Sequence, residues 1–216
     1  MRPKVIMHVE MSLDGRLDWI EKHNFLYYRV LTGWDIDAML TDAETILSAD
    51  FEKGDDNLNN YNDQKLVIID DSGKISEKNW KAIVSQRWWN DKPVSVVTKK
   101  TPKKYLEKLK KLDIEFIKMD GKNIILCEVL KILRKEFNVH KIRIDSGGVI
   151  NGQLLRNNLV DMISVVITPQ LTGGRSFDKM FIAEDLDDLN DIIRLKLYDV
   201  RSLENDIIWL MYEVKK

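Results

Sequence analysis

Short apolar runs that stop at turn residues, with helical stretches between them, constrain this chain more than any other feature. Lys4 to Met11 is rich in Val, Ile and Met and stops at Ser12-Leu13-Asp14-Gly15, which predicts a buried strand closed by a turn. Leu66 to Ile69 repeats the pattern before Asp70-Asp71-Ser72-Gly73, and Val94 to Thr98 repeats it after Pro93. Ala38 to Leu47, Glu115 to Lys118, Lys141 to Ile144, Met162 to Thr168, Leu195 to Val200 and Ile207 to Val214 supply the remaining strands. Helical spacing covers Asn24 to Asp37, Lys103 to Lys111 after Pro102, Ile124 to Phe137, and Gly152 to Asn158, with Gly33 weakening the first of these. Phe51 to Gln64 is crowded with Asp, Asn, Lys and Gly and reads as an exposed loop. Strands that alternate with helices imply crossover connections and a largely parallel sheet. The last two strands have no helical pattern between them and are expected to be antiparallel. No internal repeat or Pro- or Ser-rich linker interrupts the pattern, so a single domain over residues 1–216 is expected.

Composition narrows the function classes. Hydrophobic residues make up 44% and charged residues 32%, enough for a core and a solvated surface. The 34 basic and 35 acidic residues leave a net charge of −1, so no global field favours nucleic acid or an anionic membrane. No apolar run approaches the roughly 20 residues of a spanning helix, and Met1-Arg2-Pro3-Lys4 leads into a segment too short for a signal peptide. A cytoplasmic protein is therefore expected. The lone Cys127 excludes a disulfide framework and a cysteine metal cluster, and reads as a small buried hydrophobe. His8, His23 and His140 show no ligand spacing, and no metal site is expected; His8 reads as a satisfied core residue. Trp88-Trp89 beside Arg87 reads as a hydrophobic seat rather than a nucleic-acid platform.

The segment Ile142-Arg143-Ile144-Asp145-Ser146-Gly147-Gly148-Val149-Ile150-Asn151-Gly152 carries the strongest local signal. A strand ends, two glycines follow, and a helical pattern starts a few residues later. Glycines there let the backbone approach a ligand, and free amides at a helix start favour phosphate or pyrophosphate. A plain tight turn would use the same glycines. The pattern is neither the dinucleotide fingerprint of a Rossmann domain nor a P-loop.

Several motifs in order make the chain resemble one reductase family. They are Met11-Ser12-Leu13-Asp14-Gly15-Arg16-Leu17, Ala43-Glu44-Thr45-Ile46-Leu47, Asp71-Ser72-Gly73-Lys74 and Asp145-Ser146-Gly147-Gly148 with Asn151-Gly152. Leu154-Leu155-Arg156, Leu159-Val160-Asp161 and Thr168-Pro169-Gln170-Leu171-Thr172-Gly173-Gly174 complete the set. The family holds the C-terminal reductase domains of bacterial riboflavin-biosynthesis enzymes and their stand-alone archaeal relatives. The resemblance implies a dihydrofolate-reductase-like α/β fold, with a mostly parallel central sheet flanked by helices and an antiparallel C-terminal strand pair. It implies NADPH as cofactor, a homodimer, and 2,5-diamino-6-ribosylamino-pyrimidinone 5′-phosphate or its deaminated form as substrate. An NADPH reductase of the same fold with another small substrate, or a catalytically idle nucleotide-binding homologue, are the alternatives.

Residue by residue, the resemblance gives Thr45, Asp71, Ser72, Ser146, Gly147, Gly148, Val149, Ile150 and Asn151 to the cofactor. It gives Ser12, Asp14 and Asp145 to the substrate, with Asp145 or Asp14 holding the proton that the imine of the ring-opened sugar needs. The hydroxyl of Ser72 suits the 2′-phosphate, whereas Asp71 suits a turn-former. An Asp before a glycine turn also commonly braces that turn, which is the competing reading of Asp14. Lys99-Lys100 to Lys103-Lys104 could meet the adenine end of NADPH or simply be a solvated helix start. Many members carry an Arg for the substrate phosphate where this chain has Gly33, leaving Arg16, Arg29 or Arg175 to supply the charge. Asp42 stands where the family has a glycine.

Overall fold

The computed structural model describes residues 1–48, 64–86, 89, 92–175 and 178–216. Fifteen strands and helices follow in chain order among them. They are β1 (Lys4–Ser12), α1 (Asn24–Arg29), β2 (Ala38–Asp42), α2 (Ala43–Ser48), β3 (Lys65–Ile69), α3 (Glu77–Ser85), β4 (Val94–Val97) and α4 (Lys103–Lys111). Then come β5 (Glu115–Lys118), α5 (Leu126–Glu136), β6 (Lys141–Ile144), α6 (Gly148–Arg156), β7 (Met162–Thr168), β8 (Leu195–Ser202) and β9 (Ile208–Val214). They fall into two compact units. One comprises Met1–Pro3 and Thr32–Ile142, the other Lys4–Leu31 and Arg143–Lys216.

In the first unit β5, β4, β3 and β2 lie side by side and all run parallel, with Leu40 opposite Val67 and Val96 opposite Ile117. β2, β3 and β4 are buried on both faces, which is why they read as largely apolar runs, whereas the edge strand β5 buries only Ile117. Met39, Leu66, Ile68, Ile75, Trp80, Ile83, Val97, Tyr105 and Leu109 form the core of this unit, and Trp89 packs against its margin. In the second unit β1 and β7 are parallel, and β9 and then β8 continue antiparallel. The expected mostly parallel sheet with an antiparallel C-terminal pair is what the strands form. Cys127 is half-buried on α5.

Four elements differ from the sequence expectation, each for a local reason. The strand expected over Ala38 to Leu47 stops at Asp42. The Asp42 carboxylate accepts the amides of Glu44 and Thr45 at 2.9 Å each, and so starts α2. The helix expected over Asn24 to Asp37 ends at Arg29, and Gly33 beyond it sits at φ +83°. Helix α3 was not anticipated, although Ser76 accepts the amide of Asn79 as its N-cap and Trp80 and Ile83 share its buried face. Helix α6 starts at Gly148 rather than Gly152. Its two glycines, Gly148 and Gly152, disfavour helix on propensity alone, and packing described below overrides that preference. Most of the loop expected over Phe51 to Gln64, together with Arg87 and Trp88, lies outside the described residues.

Candidate active site

The expected site residues all lie at or just beyond the carboxyl ends of strands, the edge where open α/β sheets bind ligands. They are divided between the two units. Thr45, Asp71 and Ser72 belong to the first, and Ser12, Asp14 and Asp145 to Asn151 to the second.

In the first unit, Thr45 is not at a strand end but in the first turn of α2, where its hydroxyl donates to Asp42 at 2.9 Å. Asp42 therefore serves as a helix cap, with the α2 amides offsetting its charge. Asp71 and Ser72 are exposed in the turn after β3. The preceding residue, Asp70, is almost fully buried and accepts the amides of Lys74 at 2.8 Å and Ile75 at 3.0 Å. It also accepts the Tyr105 hydroxyl at 2.5 Å, and the Trp80 indole donates to Tyr105 at 3.0 Å. Burial, and then the bond to Asp70, push the Tyr105 phenol well above its ordinary value. Lys99 and Lys100 are exposed just beyond β4, while Thr101 donates to the Asp71 carbonyl at 2.6 Å.

In the second unit, Ser12 is buried and fully used. Its hydroxyl donates to Asp14 at 2.6 Å and accepts the amide of Arg16 at 3.0 Å. Asp14 also accepts the amides of Thr172 at 3.2 Å and Gly173 at 2.7 Å. The Ser12 hydroxyl, then those two amides, hold the Asp14 carboxyl at about 2. Asp14 thus braces the β1 turn against the Gln170–Gly174 loop, and is ionised near neutral pH.

At the end of β6 the glycines divide by role. A Cβ on Gly147 would meet nothing within 4 Å. On Gly148 it would lie 2.0 Å from the Lys179 carbonyl oxygen, and on Gly152 1.8 Å from that of Ile182. The segment Lys179 to Ile182 therefore crosses α6 along Gly148 and Gly152, and Ile182 donates to the Gly148 carbonyl at 3.0 Å. Asn151 is fully buried and donates to the carbonyls of Ser146 at 3.2 Å and Met180 at 3.0 Å. The Asn151 amide and Gly148 face this packing, whereas a Cβ on Gly147 would stand in open space and Val149 is exposed, which marks the other side of the helix start as open. That open side, at a helix start without a Cβ in the way, fits a pyrophosphate.

Asp145 has a neighbour that sequence reasoning missed. Arg143 is almost entirely buried, with its guanidinium 3.7 Å from the Asp145 carboxylate and 5.1 Å from the centre of the Tyr28 ring. Burial and the Asp145 charge raise the phenols of Tyr27 and Tyr28. The signal was present in Lys141-Ile142-Arg143-Ile144: every second residue of a strand buried on both faces is also inside. His8 is the satisfied core histidine expected, bonded at 2.9 Å to both the Ser164 hydroxyl and the Tyr27 carbonyl. Burial first, and Arg143 second, lower it to about 3, so it is neutral. Of the candidate phosphate ligands, Arg16 is buried and paired bidentately with Asp18, Arg29 pairs with Glu204, and Arg175 is exposed.

A family model described as the RibD C-terminal domain matches residues 3–209. This chain belongs to the RibD C-terminal domain family. Two curated proteins named 2,5-diamino-6-ribosylamino-4(3H)-pyrimidinone 5′-phosphate reductase align with it. That of Methanothermobacter thermautotrophicus is 25% identical over 100% of both chains. That of Aquifex aeolicus is 21% identical, with 91% of this chain and 90% of the relative covered. Among solved structures, RibD of Acinetobacter baumannii matches 99% of the chain with a TM-score of 0.72 at 21% identity, and this chain spans 58% of that one. A pyrimidine reductase-like protein of Corynebacterium diphtheriae gives 0.73 at 18% identity, covering 99% and 92%. The riboflavin biosynthesis reductase Rib7 of Saccharomyces cerevisia gives 0.67 at 18% identity, covering 99% and 90%. These structural likenesses establish the shared RibD reductase fold, the dihydrofolate-reductase-like fold expected from the motifs.

Proposed function

We propose that this RibD-family chain is an NADPH-dependent reductase of riboflavin biosynthesis. Its substrate is 2,5-diamino-6-ribosylamino-4(3H)-pyrimidinone 5′-phosphate, the compound that names its curated relatives, or the deaminated form. The observation that carries the reading is the open Gly147 face at the start of α6, directly after Asp145 and its buried Arg143 partner. Ser146 to Ile150 would hold the pyrophosphate through backbone amides, while Gly148 and Asn151 shape that surface from beneath. Asp71 and Ser72 would meet the adenosine ribose and its 2′-phosphate, with Ser72 donating its hydroxyl. Thr45 would act on the cofactor from α2, through a hydroxyl already bonded to Asp42.

NADPH supplies the hydride that converts the ribosylamino group, reached as an imine, to ribitylamino. The chain's task is to orient the sugar and handle one proton. Asp14 is ionised and saturated with donors, so we assign it to loop bracing beside the substrate and not to proton transfer. Asp145 is the group left for that work, beside Arg143, where it could orient the water that protonates the imine nitrogen and then accept a hydrogen bond from the resulting iminium N–H. Ser12 acts through Asp14. The protein works as a homodimer in the cytoplasm. Leu195, Leu197 and Val200 of β8 are exposed beside the half-buried Tyr212 and Leu210 of β9, an apolar face suited to a second copy. Ile207, Trp209 and Met211 are buried within the chain and do not contribute to that face.

Titration with NADPH and NADH, followed through tryptophan quenching, tests the cofactor reading. Saturable binding with preference for NADPH is expected, and folded protein that binds neither nucleotide would overturn it.

A further inference from the structure

We propose that Asp70, Tyr105 and Thr101 are positioning residues for the Asp71–Ser72 turn, and that the preference for NADPH over NADH depends on the network they form beneath it. The inference rests on that turn meeting the 2′-phosphate, as proposed above.

Three restraints converge on the turn, two of them through one carboxylate. Asp70 directly follows β3, with its amide bonded to the Val96 carbonyl of the neighbouring strand at 3.0 Å. Its buried carboxylate then gathers the amides of Lys74 and Ile75, which fixes the path of the chain on the far side of Ser72. Tyr105, reaching over from α4, donates to the same carboxylate and is itself held by the Trp80 indole from α3. The Tyr105 ring also fills the space beside Gly73, where a Cβ would come within 2.8 Å of the ring. Gly73 at φ +71° is what lets the turn close over that ring. Thr101 adds the third restraint by bonding the Asp71 carbonyl from the loop after β4. That loop also carries Lys99 and Lys100, so the same latch ties the Ser72 turn to two exposed cations.

A phosphate monoester is distinguished from a bare ribose hydroxyl by several short contacts made at once. Those contacts are worth most when the groups making them are fixed in advance. Ser72 is exposed and one residue long in its reach, so its placement is set by the turn. Lysine side chains are flexible, so the latch matters more than their own rotamers. NADH lacks the phosphate and keeps only the ribose contact with the turn, so it should respond to the network much less than NADPH does.

The test is the ratio of NADPH to NADH dissociation constants, by tryptophan quenching or calorimetry, with urea unfolding measured alongside. The variants are Ser72→Ala, Tyr105→Phe, Thr101→Val and Thr101→Ser. Tyr105→Phe and Thr101→Val are each expected to lower the ratio about tenfold, the effect of one misplaced charged hydrogen bond, with NADH affinity changed less than about twofold. Thr101→Ser keeps the hydroxyl and should restore the preference. Thr101→Val tests the network even if Tyr105→Phe proves too unstable. A ratio unmoved by Thr101→Val, while Ser72→Ala collapses it, would overturn the positioning role and leave the turn's contact with phosphate standing. No preference in the unaltered protein would overturn both.

Discussion

Replacing Gly152 with alanine should loosen the segment that crosses α6, and the cost can be worked from the geometry. The new Cβ would stand 1.8 Å from the Ile182 carbonyl oxygen, so that backbone must retreat until the contact is ordinary, at 3.4 Å or more. A retreat of about 1.6 Å breaks the bond from Ile182 to the Gly148 carbonyl and the bond from Asn151 to the Met180 carbonyl. Each such bond is worth about 1 kcal/mol net, and crowding of this kind adds about 2 kcal/mol. Alanine's better helix propensity returns about 1 kcal/mol, leaving a loss of about 3 kcal/mol. Urea unfolding should show a midpoint lower by about 1 M, at an m-value typical of a chain of this size. Gly147→Ala is the control. Its Cβ meets nothing within 4 Å and its φ of −71° suits alanine, so it should be neutral or stabilising by about 0.5 kcal/mol. The same Gly147→Ala protein should bind NADPH more weakly, because the added methyl occupies the open side. Equal stability losses in the two variants, or none in Gly152→Ala, would refute the division of roles among these glycines.

Buried His8 makes stability fall with acid. It is neutral in the fold down to about 3 but takes a proton in the unfolded chain below 6.5, so the unfolded chain binds more protons across that window. Stability should drop by up to about 1.4 kcal/mol per pH unit between those values, and His8→Gln, compared by urea titration at several pH values, should flatten the slope. Asp14 adds a second acid-sensitive step of the depressed-carboxyl kind, with stability present above 3.8 and lost as pH falls through about 2. Asp14→Asn should remove that step and speed hydrogen exchange at the Thr172 and Gly173 amides. Leu197→Lys combined with Val200→Lys should convert a dimer to monomer in sedimentation analysis with unfolding unchanged, whereas an unaltered dimer would move the interface elsewhere.

Strand positions were legible because parallel strands buried on both faces are largely apolar, as in Leu66 to Ile69 and, with one buried serine, Val94 to Val97. Boundaries set by a single side chain were not. Asp42 reads as one more polar residue after a strand, yet by capping α2 it ends β2 five residues early. The glycine-rich start of α6 drew attention to a ligand, but two of its glycines are required by the chain segment lying on them. Nothing in sequence spacing links Gly148 and Gly152 with Lys179 and Ile182, about thirty residues on. Arg143 was hidden for the opposite reason. It sits in a short buried strand where an isolated charge looks like the solvent face, and its contacts with Tyr28 and Asp145 help explain how it is tolerated. Asp70 was passed over beside the exposed Asp71, although the buried residue of the pair does the structural work.

The most direct test of the account is to mix the purified protein with NADPH and 2,5-diamino-6-ribosylamino-4(3H)-pyrimidinone 5′-phosphate and identify the product by mass. The account predicts oxidation of NADPH matched one to one by the ribitylamino product, and loss of turnover with cofactor binding retained in Asp145→Asn. Tight NADPH binding without reduction of this compound or its deaminated form would contradict the substrate assignment. An Asp145→Asn protein as active as the original would contradict the role given to that carboxylate.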